Sequence, residues 1–108
     1  EVDAHLAAVE GTDAMIVPVA PMPAATIAES DVGNSIDAEA VIQRITRFTR
    51  PINYLGLPAL SIPSGFTKSG LPVGMQIVGR AFDEAMLLRI GAAFQRATDH
   101  HAKVPALQ

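Results

Sequence analysis

Residues 56 to 80 read GLPALSIPSGFTKSGLPVGMQIVGR, and this ribbon decides the fold. Pro58, Pro63 and Pro72 forbid a continuous helix, and Lys68 and Arg80 are the ribbon's only charges. Ala59 to Ile62 reads as a strand bracketed by prolines. Thr67 to Gly70 (TKSG) reads as a turn, after which Pro72 leads into a second strand. In that strand Val73, Met75 and Ile77 point one way and Gly74, Gln76 and Val78 the other. The two strands form a hairpin with a longer connection. Proline lacks the N–H that a central ladder needs, so Pro63 and Pro72 belong at strand ends or bulges. Gly74 and Gly79 leave backbone open to close approach, so the ribbon is shaped to lie against another segment.

Two helices flank the ribbon. Upstream, Asp37 is an N-cap candidate for a helix from Ala38 to about Arg50. Val41, Ile42, Ile45 and Phe48 share its apolar face, while Gln43, Arg44 and Arg47 lie away from it. Pro51 disfavours helical backbone at Arg50, so INYLGLP from Ile52 onward is expected to be a loop. Downstream, Asp83 caps a helix that ends near Thr98, with Glu84 in the first turn, where the dipole favours negative charge. Phe82 and Leu87 stand at the positions of a hydrophobic staple. Leu87, Ile90, Gly91 and Phe94 form the stripe expected to face the sheet. Glycine costs about 1 kcal/mol against alanine in a helix interior, so Gly91 on that stripe predicts close packing.

Further upstream, Ala14 to Val17 is an apolar run stopped by Pro18, which fits a strand covered on both faces. Pro18, Pro21 and Pro23 then impose an extended path. Ala24 to Ile36 reads as a surface loop, and EVDAHLAAVE, residues 1 to 10, as the tail of a helix. Three strands alternating with two well-marked helices make an α/β fold.

The chain has 108 residues, one domain's worth, yet is 49% hydrophobic and only 18% charged. About 25% charged is usual, and a small domain with much surface normally needs more charge. Such a chain is expected to belong to something larger or to form a homo-oligomer that covers apolar surface. Its start at Glu1 fits an excised or processed segment. The net charge of −3 provides no basic field for nucleic acid. No apolar run is long enough to span a membrane. There are no cysteines, hence no disulfide framework and no thiolate nucleophile. That absence fits a reducing, cytoplasmic setting.

Reactive constellations are missing from the residues themselves. Ser64 lies in IPSGF, but a nucleophile elbow needs glycine where Ile62 and Phe66 stand. His5, His100 and His101 are all in terminal segments, and adjacent histidines lack the spacing of a helical zinc site. Asp83 and Glu84 are explained by capping, and Lys68 sits in an exposed turn. The glycines form no phosphate-binding motif. Neither a metal nor a cofactor is expected.

The order of TDAMIVPVAP, TRPINYLGLPALSIPSGF and GLPVGMQIVGRAFDEAMLLRIGAAFQRA nonetheless resembles the C-terminal part of the amidase signature family. Asn53, Gly56-Leu57-Pro58, Gly70-Leu71-Pro72, Gly74, Gln76, Gly79 and Asp83-Glu84 are in register with that family. The resemblance runs from Thr12 to Ala97. It implies the C-terminal portion of a mixed-sheet α/β fold, so that residues 1–108 form an incomplete domain. It also implies amide hydrolysis through an acyl-enzyme on a serine, with a Ser–cis-Ser–Lys triad and an oxyanion hole beside a Gly/Ser-rich segment. Those residues lie N-terminal to everything present. Neither Lys68 nor Lys103 matches the family's lysine motif, so no catalytic residue carries over.

The expectation is therefore a fragment inert by itself, whose partner is the missing catalytic part. Alternatives are the A subunit of a glutamyl-tRNA amidotransferase, or a non-catalytic binding or assembly module. In relatives the helix before the Asn-x-x-Gly-x-Pro loop flanks the substrate cavity, which points to Thr46, Thr49 and Asn53 as candidate substrate-binding residues. For each, a local backbone role competes with pocket lining. Gln76 in mid-strand is expected to satisfy buried backbone.

Overall fold

The computed structural model describes Ala7 and residues 10–33 and 36–106. The helix expected over residues 1–10, with His5, lies almost wholly outside the described residues. The elements run β1 (Met15–Pro18), α1 (Ile27–Ser30), α2 (Ala38–Ile45), α3 (Thr49–Leu55), β2 (Ala59–Phe66), β3 (Pro72–Val78), α4 (Glu84–Ala97) and a 3₁₀ turn, His100–Ala102. The three strands form one antiparallel sheet in the order β1-β3-β2. The α/β class holds, and within these residues the sheet has no parallel pair.

The β2–β3 hairpin follows from its turn chemistry. Thr67 N–H donates to Leu71 O at 2.8 Å, and Gly70 N–H donates to Thr67 O at 3.0 Å. Thr67 Oγ1 also accepts from Leu71 N–H at 3.0 Å. Gly70 takes φ +85°, a left-handed conformation that suits glycine. Strand β2 continues past Pro63, where an irregularity between Pro63 and Gly65 breaks the register. A proline at a bulge withholds no ladder hydrogen bond, which is how the strand outruns its expected end.

Residues opposite one another in the register share a face. One face carries Leu60, Ile62, Met75 and Ile77, and α4 packs on it. Ile62, Ile77 and Leu87 form the centre of the core, with Ile90 and Phe94 against them. A Cβ on Gly91 would sit 2.6 Å from Leu60 Cδ2, so the missing side chain lets α4 approach the sheet. The segments that approach Gly74 and Gly79 come from this chain. Val19 Cγ2 lies 3.3 Å from a Cβ built on Gly74, and Leu87 Cδ2 lies 2.8 Å from one on Gly79.

Several expectations are corrected. Helix α2 stops at Ile45, and a second helix, α3, carries Pro51 in its first turn. A single continuous helix would drive the Pro51 ring into the carbonyl of Arg47 and forfeit a hydrogen bond. The break over residues 46–48 removes both conflicts, because a first-turn proline lacks only an N–H that would be unpaired anyway. The predicted loop is therefore helical to Leu55. Gly56 ends it in the left-handed conformation, φ +66°, and its N–H donates to Asn53 O.

At α4 the expected staple is absent. Phe82 is 96% exposed and adopts φ +62°, so its ring never reaches Leu87. Asp37 and Asp83 occupy N-cap positions, but neither side chain makes a capping hydrogen bond. Strand β1 is not covered on both faces either. It is an edge strand, and Ile16 is 61% exposed.

The segment expected to be loop contains α1, capped at both levels. Thr26 Oγ1 accepts from Glu29 N–H at 3.2 Å, while Glu29 Oε2 accepts from Thr26 N–H and Thr26 Oγ1–H, each at 2.8 Å. The Thr-x-x-Glu spacing of a capping box is legible at positions 26 and 29. The backbone bond from Thr26, then its hydroxyl bond, hold the Glu29 pKa below the usual 4.5. A lowered folded-state pKa means that the box contributes fully above the unfolded value and is lost as pH falls through the folded one. The Thr26 amide resonance should therefore titrate with a midpoint below 4.5. A midpoint at or above that value would refute the box in solution.

The accessible surface is 7962 Å², whereas a compact monomer of this mass exposes about 5,700 Å². The radius of gyration, 16.0 Å, likewise exceeds the roughly 13 Å of a compact domain of this length. Part of the apolar composition therefore lies on the surface. Tyr54, Phe82 and Leu88 are among the exposed large side chains.

Candidate functional site

Opposite the α4 face, Gly74, Gln76 and Val78 of β3 lie beside Ala59 and Ser61 of β2. Gln76 ties this face to the helices above it. Its Nε2 donates to Pro18 O at 3.2 Å and to Phe48 O at 3.0 Å, linking the end of β1 to the α2–α3 connection. Gln76 is 4% exposed, so its carboxamide takes its partners from the chain: the carbonyls of exposed Pro18 and half-buried Phe48. The expected structural role of Gln76 is borne out.

The Gln76 tether sets α3 over the sheet, leaving an open concavity of about 320 Å³ between them. Thr49 and Asn53, one helical turn apart on α3, line it from above. Ile52 and Leu57 supply apolar wall, and Val19, Ser61 and Gln76 the floor. A second concavity of about 200 Å³ shares Val19 and Ser61 with the first and extends toward Ile45 and Pro72. No Asp, Glu, Lys, Arg or His lines either one.

Of the three sequence candidates, the structure brings Thr49 and Asn53 together and leaves Thr46 out. Thr46 Oγ1 donates to Ile42 O at 2.8 Å at the end of α2. Thr49 Oγ1 also donates locally, to Thr46 O at 3.2 Å, so its hydroxyl is committed to backbone while its side chain lines the concavity. The Asn53 amide makes no hydrogen bond to another described residue. Ser61 was missed by sequence reading. Strand alternation with Gln76 was the signal that placed it on this face.

The remaining reactive side chains are dispersed. Ser64, at the bulge, donates to Val73 O at 3.3 Å. His100 packs its ring near Phe66 and Phe94, with centroids at 6.3 and 6.2 Å. Lys103 pairs with Asp99 at 3.3 Å. Among the described residues no serine hydroxyl bonds to a histidine, lysine or carboxylate, and no cluster of His, Cys, Asp or Glu could hold a metal. The same residues include no helix long and apolar enough to cross a membrane. The concavity between α3 and the sheet is thus lined by uncharged side chains alone.

Comparison with known proteins places these features in context. Residues 1–88 match the family described as Amidase. The A subunit of the glutamyl-tRNA(Gln) amidotransferase of Myxococcus xanthus (strain DK1622) is 45% identical over 92 residues, 85% of this chain and 18% of that protein. Its counterpart in Levilactobacillus brevis (strain ATCC 367) is 44% identical over 88% of this chain and 18% of its own length. A crystal structure of an amidase superposes with a TM-score of 0.71 at 28% identity, covering 89% of this chain and 23% of that one. The chain therefore spans less than a quarter of the relatives it matches.

Proposed function

The chain belongs to the amidase family, and we propose that it forms the C-terminal segment of an amide-bond hydrolase and cannot hydrolyse amides alone. The family match over most of the chain carries the first part of this reading. Two observations support the second: no nucleophile is paired with a base among the described residues, and the chain spans only 18–23% of its relatives. The serine nucleophile, its bridging serine and the lysine would come from the rest of the enzyme. This segment would contribute the α3-side wall of the substrate cavity, with Thr49 and Asn53 facing substrate and Thr46 behind them. Its excess surface would be covered by that remainder, in the cytoplasm.

The test is complementation. The 108-residue chain is assayed against a panel of simple amides alone, and again when fused behind the N-terminal portion of the related crystallised amidase. Hydrolysis is expected from the fusion only. Turnover by the chain alone, or a well-folded fusion without activity, would overturn the reading.

A second reading has a specific observation in its favour. The two amidotransferase relatives are 44–45% identical to this chain, against 28% for the crystallised amidase. On that reading the parent protein works with partner subunits. Co-purification with those subunits, and activity dependent on them, would establish it over the free-standing amidase.

A further inference from the structure

We propose that the concavity between α3 and the sheet is a subsite for an uncharged ligand group that donates a hydrogen bond to Gln76 Oε1. Both protons of Gln76 Nε2 are committed, to Pro18 O and Phe48 O. Those two acceptors fix which way the carboxamide points, since a flipped amide would set oxygen against both carbonyls. Oε1 accepts from no described residue. It is not sealed off either, because no buried side-chain polar atom there lacks a partner. Gln76 is 4% exposed and lines the concavity, so an acceptor held in place by its two donor bonds needs no further ordering when a ligand arrives.

The lining then selects the chemistry. A carboxylate has no proton to give and would set its charge against Oε1. An ammonium group could donate, but no acidic side chain lines the concavity to offset its desolvation. A carboxamide N–H meets Oε1 without either penalty, and its apolar body lies against Val19, Ile52 and Leu57. The Asn53 side-chain amide, which has no hydrogen-bond partner among the described residues, also lines the concavity and can take up the remaining polar group. At about 320 Å³ the space is at the small end of ligand sites, which run from about 300 to 1,000 Å³. This inference rests on the amidase reading for its choice of an amide probe.

The experiment titrates the ¹⁵N-labelled chain with benzamide, benzoate and benzylamine at pH 7. The resonances followed are the backbone amides of Asn53, Ala59 and Ser61 and the side-chain NH₂ of Gln76. Benzamide is expected to shift them saturably, with each charged analogue binding at least about tenfold more weakly. Ala59→Phe, which fills the concavity without touching the Gln76 bonds, should abolish the shifts while leaving the rest of the spectrum intact. Ser61→Phe, filling from the neighbouring position on β2, serves the same purpose if the first variant misfolds.

Equal binding of benzoate, shifts that persist in the filled variants, or no response to benzamide would each overturn the subsite. The two ideas fail separately. Amide hydrolysis recovered by the fusion without benzamide binding sinks the subsite alone. Benzamide binding with an inactive fusion sinks the amidase reading alone.

Discussion

Gln76→Leu is expected to destabilise the chain by about 1–3 kcal/mol in total, the cost of leaving a shielded main-chain carbonyl without its donor. The leucine matches the volume of glutamine but cannot donate to Pro18 O or Phe48 O. Both carbonyls would lose their partners, with the larger cost at half-buried Phe48 and the smaller at Pro18, where exposed backbone can take up water. Gln76→Glu separates these effects further. Its carboxylate would face two carbonyl oxygens, and at neutral pH it should be less stable than Gln76→Leu. The introduced carboxyl then has a folded-state pKa above its unfolded value, so Gln76→Glu gains stability as pH falls toward protonation. Urea midpoints at pH 7 and pH 5 check this. If Gln76→Leu keeps wild-type stability, the tether between β1 and the α2–α3 connection carries nothing.

Ile77→Ala is expected to cost about 2–5 kcal/mol, by loss of transferred apolar surface plus the cavity left behind. Ile77 is 0% exposed and lies at the centre of the core with Ile62 and Leu87. Small domains have roughly 5–15 kcal/mol in total. In a chain with this much exposed surface, a loss at the upper end should leave little folded protein at 37 °C. Ile16→Ala is the control. It lies on the same face, opposite Ile77 in the register, but on the open edge strand. Thermal melts should show a large fall in Tm for Ile77→Ala and a small one for Ile16→Ala. Comparable losses would mean that the β1 edge is covered in solution, by a second copy or otherwise, and light scattering would detect a dimer.

Much of the local architecture was legible in the chain. The hairpin could be read because proline, glycine and strand alternation act within a few residues. Helix α4 and its stripe could be read from the 3.6-residue period, and Gly91 from its otherwise costly place on that stripe. The split into α2 and α3 was not legible from propensity alone. Pro51 is compatible either with a helix end at Arg50 or with a new first turn, and the fold takes the second, in which Ile52 is buried. The staple failed for a similar reason, since the left-handed Phe82 turns its ring to solvent.

The candidate site divides along the same line. Thr49 and Asn53 share one face of a helix, so their partnership follows from spacing. The floor beneath them does not. Gln76 comes from 23 to 27 positions further along the chain, and Val19 from another strand's end. The sequence by itself determined an α/β segment of the amidase family, because short-range backbone preferences and the family pattern are written in consecutive residues. Only the tertiary structure decided that Thr46 stays out of the concavity, that Gln76 donates both its protons to carbonyls, and that its oxygen accepts from no described residue. Those outcomes depend on distances between segments, and no local pattern encodes them.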